Sequence, residues 1–275
     1  MKSIFILLLA FATAATFAQK DFQGKAVYMS KTTMDMSRFG NRSELEKKQI
    51  MARMKNFLEK TYTLSFNKTE SSFKENVKLD APGTSRSRWG GSNGQGSIYK
   101  NSKEKVIIED VEQFSKRFLI VEKMDQPKWE LGTETKKIGQ YTCYKATWLK
   151  VDNKIDMGSI FGRRRNNEKK DSTNTKETKE DVKKVLVTAW YSPQIPVSSG
   201  PDSYYGLPGL ILELNAGRTT MLCTEIVLNP SESLEIKKPN KGSKVSREEF
   251  NKITKKKAEE LRERFQNRRG SGRRF

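Results

Sequence analysis

Short segments in which apolar and polar residues alternate recur along most of the chain, and turn-forming residues separate them. Segment 61–74 shows the pattern, with Tyr62, Leu64 and Phe66 on one side and polar residues on the other. Successive side chains of a strand point to opposite faces, so this alternation indicates strands with one buried face. Strands that follow one another through short turns pair antiparallel. The sequence therefore predicts a largely antiparallel sheet.

The clearest strand-like segments are residues 22–33, 61–74, 105–110, 117–122, 129–135, 140–151, 184–191, 210–214 and 219–228. The turn NAGR joins the last two as a hairpin, with Gly217 as the residue that tolerates positive φ. Helical spacing is confined to two places, one early and one late in the chain. We therefore predict an α+β, mainly β fold, in which a curved, half-barrel-like antiparallel sheet carries one early and one late helix.

Each predicted helix begins with a capping box, in which a serine and a glutamate three residues later bond reciprocally. The pairs are Ser43 with Glu46 for the early helix, 43–60, and Ser246 with Glu249 for the late helix. The early stripe is Ile50, Met51, Met54, Phe57 and Leu58, and the late stripe is Phe250, Ile253, Ala258, Leu261 and Phe265. A methionine-rich stripe serves either as ordinary core, which we favour, or as a pliable binding surface.

The first residues, MKSIFILLLAFATAATFAQK, have the three parts of a secretory signal peptide. Lys2 supplies the positive charge, residues 4–11 form a short apolar core, and Ala18 ends a stretch rich in small residues. The apolar run is shorter than the roughly 20 residues that a membrane-spanning helix needs. We therefore predict a signal peptide at residues 1–18, cleaved before Gln19. An uncleaved anchor and a buried N-terminal helix are the alternatives.

The predicted signal peptide implies that the mature chain is exported. We expect it in the periplasm, associated with the outer membrane, or outside the cell.

The net charge of +20 is concentrated near the C terminus. Residues 237–275 contain fifteen Lys or Arg and five Glu, which gives +10, half of the total. Residues 162–181 contain no apolar residue, so they cannot contribute to a core. We predict one mainly β domain over 19–236, with a disordered polar insertion near 162–181, and a basic helical tail over 237–275.

The basic tail suits contact with anionic lipid, a membrane surface or an acidic envelope protein. Nucleic acid matches the charge equally well. The predicted signal peptide, however, directs the chain away from nucleic acid.

The chain contains no histidine, which excludes Ser-His-Asp and Cys-His catalysis and the usual His-based zinc sites. Two cysteines, Cys143 and Cys223, are too few for a thiolate metal site, and we predict no metal and no cofactor. After export they form either a disulfide or a pair of buried free thiols on neighbouring strands. A hydrolase would have to use a Ser–Lys pair or the carboxylates Asp202, Glu213 and Glu225. We predict no catalytic residue.

A proline- and glycine-rich segment, SPQIPVSSGPDSYYGLPG, separates two strand-like segments at 192–209. Proline fixes φ and lacks a backbone donor, so this segment cannot be a paired central strand. Gly200, Gly206 and Gly209 allow sharp turns where a side chain would clash. The connection is long but stiff, and it loses little entropy on folding. We expect it to close one end of the sheet and to lead the apolar segment LILEL into the sheet centre.

The same region resembles the GLPGLI family of exported Bacteroidetes proteins. The resemblance extends over about residues 20–230 and is strongest over 129–214. Its motif and structural positions are Trp190, Tyr191, Pro196, Gly200, Pro201, Gly206, Leu207, Pro208, Gly209, Leu210 and Ile211. Upstream, Glu134, Thr135, Lys136, Ile138, Tyr141, Cys143, Lys145 and Ala146 also match. The resemblance implies a cell-envelope protein, and it supplies no catalytic residues.

Three functions are compatible with these features, and we favour a non-enzymatic protein that binds an apolar ligand or an envelope partner. A curved sheet with a helix on its concave side is similar in outline to periplasmic lipoprotein carriers, which is an argument from fold alone. Ordinary core packing is the alternative for the residues of the predicted groove, which are Met51, Met54, Phe57, Trp148, Trp190 and Leu212. The second function is an accessory or scaffold factor of an outer-membrane transport system, and the third is a histidine-free hydrolase.

Overall fold

A computed structural model describes residues 22–34, 40, 42–76, 94–151 and 184–271. The predicted signal peptide and the polar insertion near 162–181 lie outside the described residues. Within them the strands are β1 (Gln23–Thr32), β2 (Glu59–Asn67), β3 (Glu70–Glu75), β4 (Gly94–Asn101), β5 (Val106–Gln113), β6 (Lys116–Lys123), β7 (Glu130–Ile138), β8 (Tyr141–Val151), β9 (Lys184–Ser192), β10 (Leu210–Ala216), β11 (Thr219–Leu228) and β12 (Ser243–Val245). The helices are α1 (Glu44–Leu58) and α2 (Arg247–Ser271).

These strands form one sheet in the order β12-β6-β5-β4-β3-β2-β1-β11-β10-β9-β8-β7. Neighbours pair antiparallel, except that β12 runs parallel to β6. The prediction of a mainly β fold with an antiparallel sheet, one early helix and one late helix is confirmed. Strands β6 and β8 are second and eleventh in the order, yet Glu122 and Lys150 line the same cavity. The sheet therefore curves so that its two halves face each other.

The concave face of this sheet holds the main core. Its members come from both halves and include Tyr28, Leu64, Phe66, Phe73, Ile98, Val187, Ala189 and Leu214. Tyr28 is fully buried, and its hydroxyl donates to the carbonyl of Ile211 at 2.7 Å. A curved single sheet cannot close over its own concave side, so other segments must cover these apolar side chains.

Helix α2 covers one part of the concave face. Its N terminus has the predicted capping box: Ser246 N donates to Glu249 Oε2 at 2.8 Å, and Glu249 N donates to Ser246 Oγ at 3.2 Å. Phe250 packs edge-to-face on Phe118 of β6, with ring centroids 5.5 Å apart. Strand β12 and the first turns of α2, which belong to the predicted basic tail after residue 236, pack against β6.

Helix α1 also begins at its predicted capping box, formed by Ser43 and Glu46. None of its residues is buried, although Met51, Met54 and Phe57 share the predicted apolar stripe. The favoured interpretation of this stripe as core differs from the structure. The physical reason is that residues 193–209 and α2 supply packing on the concave face, whereas the contacts of α1 with the sheet are mainly with β2 and β1.

The proline- and glycine-rich segment folds back into the half-barrel. Ile195, Val197 and Leu207 are buried there, with at most 3% of each side chain exposed. The segment returns through backbone bonds from Leu210 N to Ile195 O at 3.0 Å and from Ile211 N to Ser199 O at 3.1 Å. It therefore fills part of the concave face rather than only closing an end. As expected, it leads into an interior strand, because β10 pairs with both β9 and β11.

Gly209 provides the first test of this packing. A Cβ at this position would lie 2.2 Å from the backbone oxygen of Ser192, which cannot move without breaking β9. We expect Gly209→Val to lower the free energy of unfolding by roughly 3 kcal/mol or more. Pro208 is exposed, so Pro208→Ala should cost only about 0.4–1 kcal/mol through the unfolded state. Thermal and urea unfolding measure both, with Gly132→Ala as the control. Unchanged stability in Gly209→Val would contradict the packing described here.

Candidate functional site

A cavity of about 680 Å³ opens on the concave face between the two halves of the sheet. Its floor is apolar: Tyr62, Leu214 and Met221 line it, and each is at most 9% exposed. Leu214 and Met221 are partners in the ladder between β10 and β11, which places their side chains side by side. The volume is within the range of about 300–1,000 Å³ that is typical of small-molecule sites.

The mouth of the cavity lies at the end of α1 and at the β10–β11 turn. Phe57, the penultimate residue of α1, lines the mouth with 60% of its side chain exposed. Thr32 and Thr219 face each other across β1 and β11, and their hydroxyl oxygens are 3.0 Å apart. Arg218 follows Gly217 in the turn and is exposed. The mouth is therefore more polar than the floor, although an apolar ring stands at its edge.

Two of the cations that line the cavity belong to ion pairs. Lys60 Nζ lies 2.9 Å from Glu75 Oε2. Arg247, at the start of α2, pairs with Glu109 and also lies 2.8 Å from Glu122 Oε2. Since Glu109 and Glu122 belong to β5 and β6, this cluster fixes the helix N terminus to the sheet.

Lys150 of β8 points to the base of the cavity. Its Nζ donates to Ser203 Oγ at 3.2 Å and lies 4.5 Å from the ring centroid of Tyr204. The same ammonium group is 5.4 Å from the ring centroid of Trp148. Aromatic faces attract cations, so both rings help to hold the Lys150 side chain in this position.

Lys100 of β4 bonds to the segment that forms the base of the cavity. It is 2% exposed, and its Nζ donates to the carbonyl oxygens of Gly200, Asp202 and Tyr204 at 2.6, 2.8 and 3.0 Å. Three carbonyl acceptors use all three donors of an ammonium group. Burial nevertheless lowers the pKa of Lys100 to about 7, with Asp202 opposing the shift and Lys150 adding to it. Sequence reasoning missed this residue.

Other bonds hold the same segment in place. Ser199 Oγ donates to Ser71 Oγ at 2.9 Å, and Trp129 Nε1 donates to the carbonyl of Tyr205 at 2.8 Å. The Tyr205 hydroxyl in turn donates to Asp125 O at 2.5 Å. The segment is thus bonded to β3, to β4 and to the chain between β6 and β7.

The structure brings few of the predicted groove residues to this cavity. Of the six, Phe57 lines it, while Met51 is exposed and Met54 half-buried elsewhere on α1. Trp148 packs on Trp129 and Tyr204 beside the cavity. Leu212 is core. Trp190 lies on the opposite face of the sheet, where Lys136 Nζ is 4.4 Å from its ring centroid.

The residues of the predicted motif are mostly buried. Those that are buried are Tyr191, Gly200, Pro201, Leu207, Gly209, Leu210 and Ile211, whereas Pro196 and Pro208 are exposed and Gly206 is half-buried with φ +92°. Of these, Tyr191, Leu207, Leu210 and Ile211 belong to the core cluster that contains Ile195 and Val197.

The candidate carboxylates do not converge. Asp202 borders the cavity, and its Oδ1 accepts a bond from Ser203 N at 2.7 Å. Glu213 is on the convex face, where its Oε2 lies 2.6 Å from Lys136 Nζ. Glu225 is exposed and pairs in the ladder with Val27. Among the described residues there is also no cluster of three or more side chains suited to binding a metal.

In the structure Cys143 and Cys223 are buried free thiols. They belong to β8 and β11, which β9 and β10 separate, so they are not on neighbouring strands. Burial raises the pKa of Cys143 to about 11 and that of Cys223 to about 12. The neutral thiols are therefore poor nucleophiles and poor metal ligands.

No helix within the described ranges combines the length and the apolar character needed to cross a membrane.

Comparison with known proteins gives one family match. A family model described as "Protein of unknown function (Porph_ging)" matches residues 129–213. This stretch runs from Trp129 through β7, β8 and β9 into β10, and it coincides with the strongest part of the resemblance found in the sequence. The chain thus resembles a family of unknown function in this region, and the GLPGLI designation stays a prediction. The comparison with curated proteins finds no match.

Among solved structures, the chain is similar to PNGF-II in its P21 and C2 crystal forms, with 11% sequence identity in each. The TM-scores are 0.42 and 0.47, and the matches cover 77% and 86% of this chain. They cover 29% and 32% of the PNGF-II chains, so this chain spans about a third of their length. At these scores the likeness supports no further conclusion.

The lowered pKa of Lys100 predicts a pH dependence of stability. From about pH 7, where folded Lys100 releases its proton, up to the ordinary lysine pKa of 10.5, the unfolded state holds more protons at this site. Stability should therefore rise with pH in this window, by at most roughly 1.4 kcal/mol per pH unit. We expect Lys100→Met to be less stable at pH 7 and to lack this rise in urea unfolding, whereas exposed Lys74→Met keeps it. Identical slopes in Lys100→Met and the wild type would refute the assignment.

The two thiols predict a labelling pattern. Buried neutral thiols should react with a maleimide only slowly in the native protein, and both should react quickly in denaturant without reductant. Mass spectrometry counts the labels. If denatured protein takes up no label until a reductant is added, the cysteines form a disulfide.

Proposed function

We propose that the protein is a non-enzymatic binding protein of the cell envelope that holds a small molecule with an apolar body in the concave cavity. The observation that carries the proposal is an apolar floor of Tyr62, Leu214 and Met221 beneath a mouth at which Phe57 stays 60% exposed. Exposing an aromatic ring to water is unfavourable, and an apolar occupant would remove part of that exposure. The envelope location is inferred from the signal-peptide pattern at residues 1–18.

The cavity is also suited to binding because its base is held in place. Tyr204 lines the base, and its carbonyl accepts a bond from Lys100, whose side chain is fixed by three acceptors. A site that is already ordered loses less entropy on binding than one that must be assembled. This supports a pocket that is already formed in the unbound protein rather than one that forms when a partner binds.

The geometry gives little support to the hydrolase alternative. Ser203 and Lys150 are within bonding distance, which is the arrangement of a Ser–Lys pair. The Lys150 ammonium group, however, also lies against the rings of Tyr204 and Trp148, a contact that holds a cation in place. Glu213 and Glu225 lie on the convex face, so they do not form a carboxylate pair with Asp202 at the cavity.

Native mass spectrometry of exported residues 19–275, with organic extraction of the same sample, tests the proposal. We expect a stoichiometric small molecule to accompany the protein. Val185→Trp should displace it, because Val185 lines the cavity. Leu186→Trp is the matched control, since Leu186 is the next residue of β9, faces the other side and is 61% exposed.

Three results would overturn the binding proposal. The first is that the wild-type protein shows only the mass of the unliganded chain and also fails to bind an uncharged apolar dye, which means that it has no preformed binding pocket. Equal loss of ligand in Val185→Trp and Leu186→Trp places the ligand elsewhere. Either result would favour the accessory or scaffold function, which cross-linking to an envelope protein then examines. Turnover of an extracted ester by the wild type, abolished in Ser203→Ala, would establish the hydrolase instead.

A further inference from the structure

We propose that the exposed edge strand β7 pairs antiparallel with β7 of a second copy of this chain, so that two half-barrels join in a symmetric dimer. The two-fold axis passes through Thr135 and is perpendicular to the sheet. Glu134 of each copy then faces Lys136 of the other copy. This inference is separate from the proposed function, because it concerns the edge of the sheet and not the cavity.

The two edges of the sheet differ in length and in coverage. At one edge, β12 is three residues long and leads into α2, which packs on β6. At the other edge, β7 has nine residues, and seven of them are exposed. Among the described residues, β7 has β8 as its one neighbour in the sheet, and no backbone bond joins it to a turn or loop. A long exposed edge presents backbone groups that can pair with another strand.

The ladder between β7 and β8 leaves part of β7 without partners. Its register shifts between Leu131 and Thr135, so that residues 132–134 stand opposite the single residue Lys145 of β8. The backbone groups of three residues cannot all bond to one residue. A second strand on the outer side of β7 would supply partners for them, which favours strand addition at this place.

The charged side chains next to this edge lie on the convex face. Lys136 Nζ is 2.6 Å from Glu213 Oε2. Lys145 Nζ is likewise 2.6 Å from Glu134 Oε1, and the Glu134 side chain is 63% exposed. Lys145 and Glu213 both pair in the ladder with Trp190, so their side chains share one face of the sheet. Glu134 and Lys136 therefore present opposite charges on the same side of one strand.

These charges select one register for the pairing of two copies. With the axis at Thr135, Glu134 faces Lys136 of the second copy, and the symmetry repeats the pair. Charges then alternate across the joint in the order Lys145, Glu134, Lys136 of the second copy and Glu213 of the second copy. An axis at Glu134 or at Lys136 would instead place that residue opposite its own charge. Opposite charges stabilise facing strands and like charges destabilise them, so the edge is complementary to itself at Thr135.

Sedimentation velocity of the exported protein, from dilute to concentrated solution, tests the proposal. We expect a monomer–dimer equilibrium, because a joint between two strand edges buries little area and gives weak association. Backbone amides of β7 should exchange hydrogen more slowly in concentrated than in dilute solution. Glu134→Lys and Lys136→Glu should each weaken the dimer about tenfold, since each places like charges opposite one another twice.

A matched control and a mixture separate the interface from a general effect of charge. Lys137→Glu makes the same change as Lys136→Glu on the same strand, but position 137 faces Thr133 of the second copy. This control should dimerise as the wild type does. A mixture of Glu134→Lys with Lys136→Glu should also dimerise, because the mixed dimer regains both ion pairs. Poor folding of a variant cannot produce this rescue, and melting temperatures check each variant separately.

Four results would overturn the proposal in whole or in part. A wild-type protein that stays monomeric at every concentration excludes the dimer. A dimer whose β7 amides exchange as fast as those of the monomer has its interface elsewhere, and so does one that both charge variants leave intact. Loss of the dimer in Lys136→Glu alone would move the axis to Thr133, which places Glu134 opposite Gly132. A mixture that fails to associate excludes the pairing of Glu134 with Lys136. None of these results affects the binding of a ligand in the cavity.

Discussion

The buried ammonium group of Lys100 is the interaction on which the concave face depends. Taking a charge out of water is costly, and a lysine at 2% exposure persists only where other groups replace its hydration. Here the replacements are the carbonyls of residues 200, 202 and 204, all from one segment. Three bonds to one ammonium group restrain residues 200–204, so the buried charge helps to hold the path of the chain. Because residues 202–204 form the base of the cavity, the same bond fixes its shape.

The curvature of the sheet explains why a cavity exists at all. A half-barrel has an apolar concave face that must be covered, and two unlike elements share that task. The stiff segment fills the part beneath β10, with Ile195 and Leu207 in the core. Helix α2 covers β5 and β6 through Phe250. The space between them remains open, and α1 borders it without entering. The cavity therefore exists because two separate elements cover the concave face and leave a gap between them.

Features that depend on nearby residues could be predicted from the sequence, and features that depend on distant ones could not. Alternation and capping boxes are local, so most strands and both helix starts were predictable. Contacts such as Lys100 with Gly200, 100 positions apart, leave no local trace. One signal was present, since alternation in SIYK places Lys100 on the same side as Ile98. The groove prediction failed for Trp190 because alternation does not say which face of a strand is concave.

The perturbed group of the site also bears on its function. Strongly shifted pKa values often mark catalytic residues, and Lys100 has the lowered pKa expected of a lysine base. A catalytic base must reach the reacting atom, however, and Lys100 directs all three donors at carbonyls of its own chain. The shifted pKa of Lys100 therefore goes with a structural role, because its donors hold the segment at the base of the cavity. The other side chains that line the cavity are an apolar floor, hydroxyls, cations and the carboxylates of Glu122 and Asp202, and the apolar floor and the polar groups together can hold a molecule and orient it.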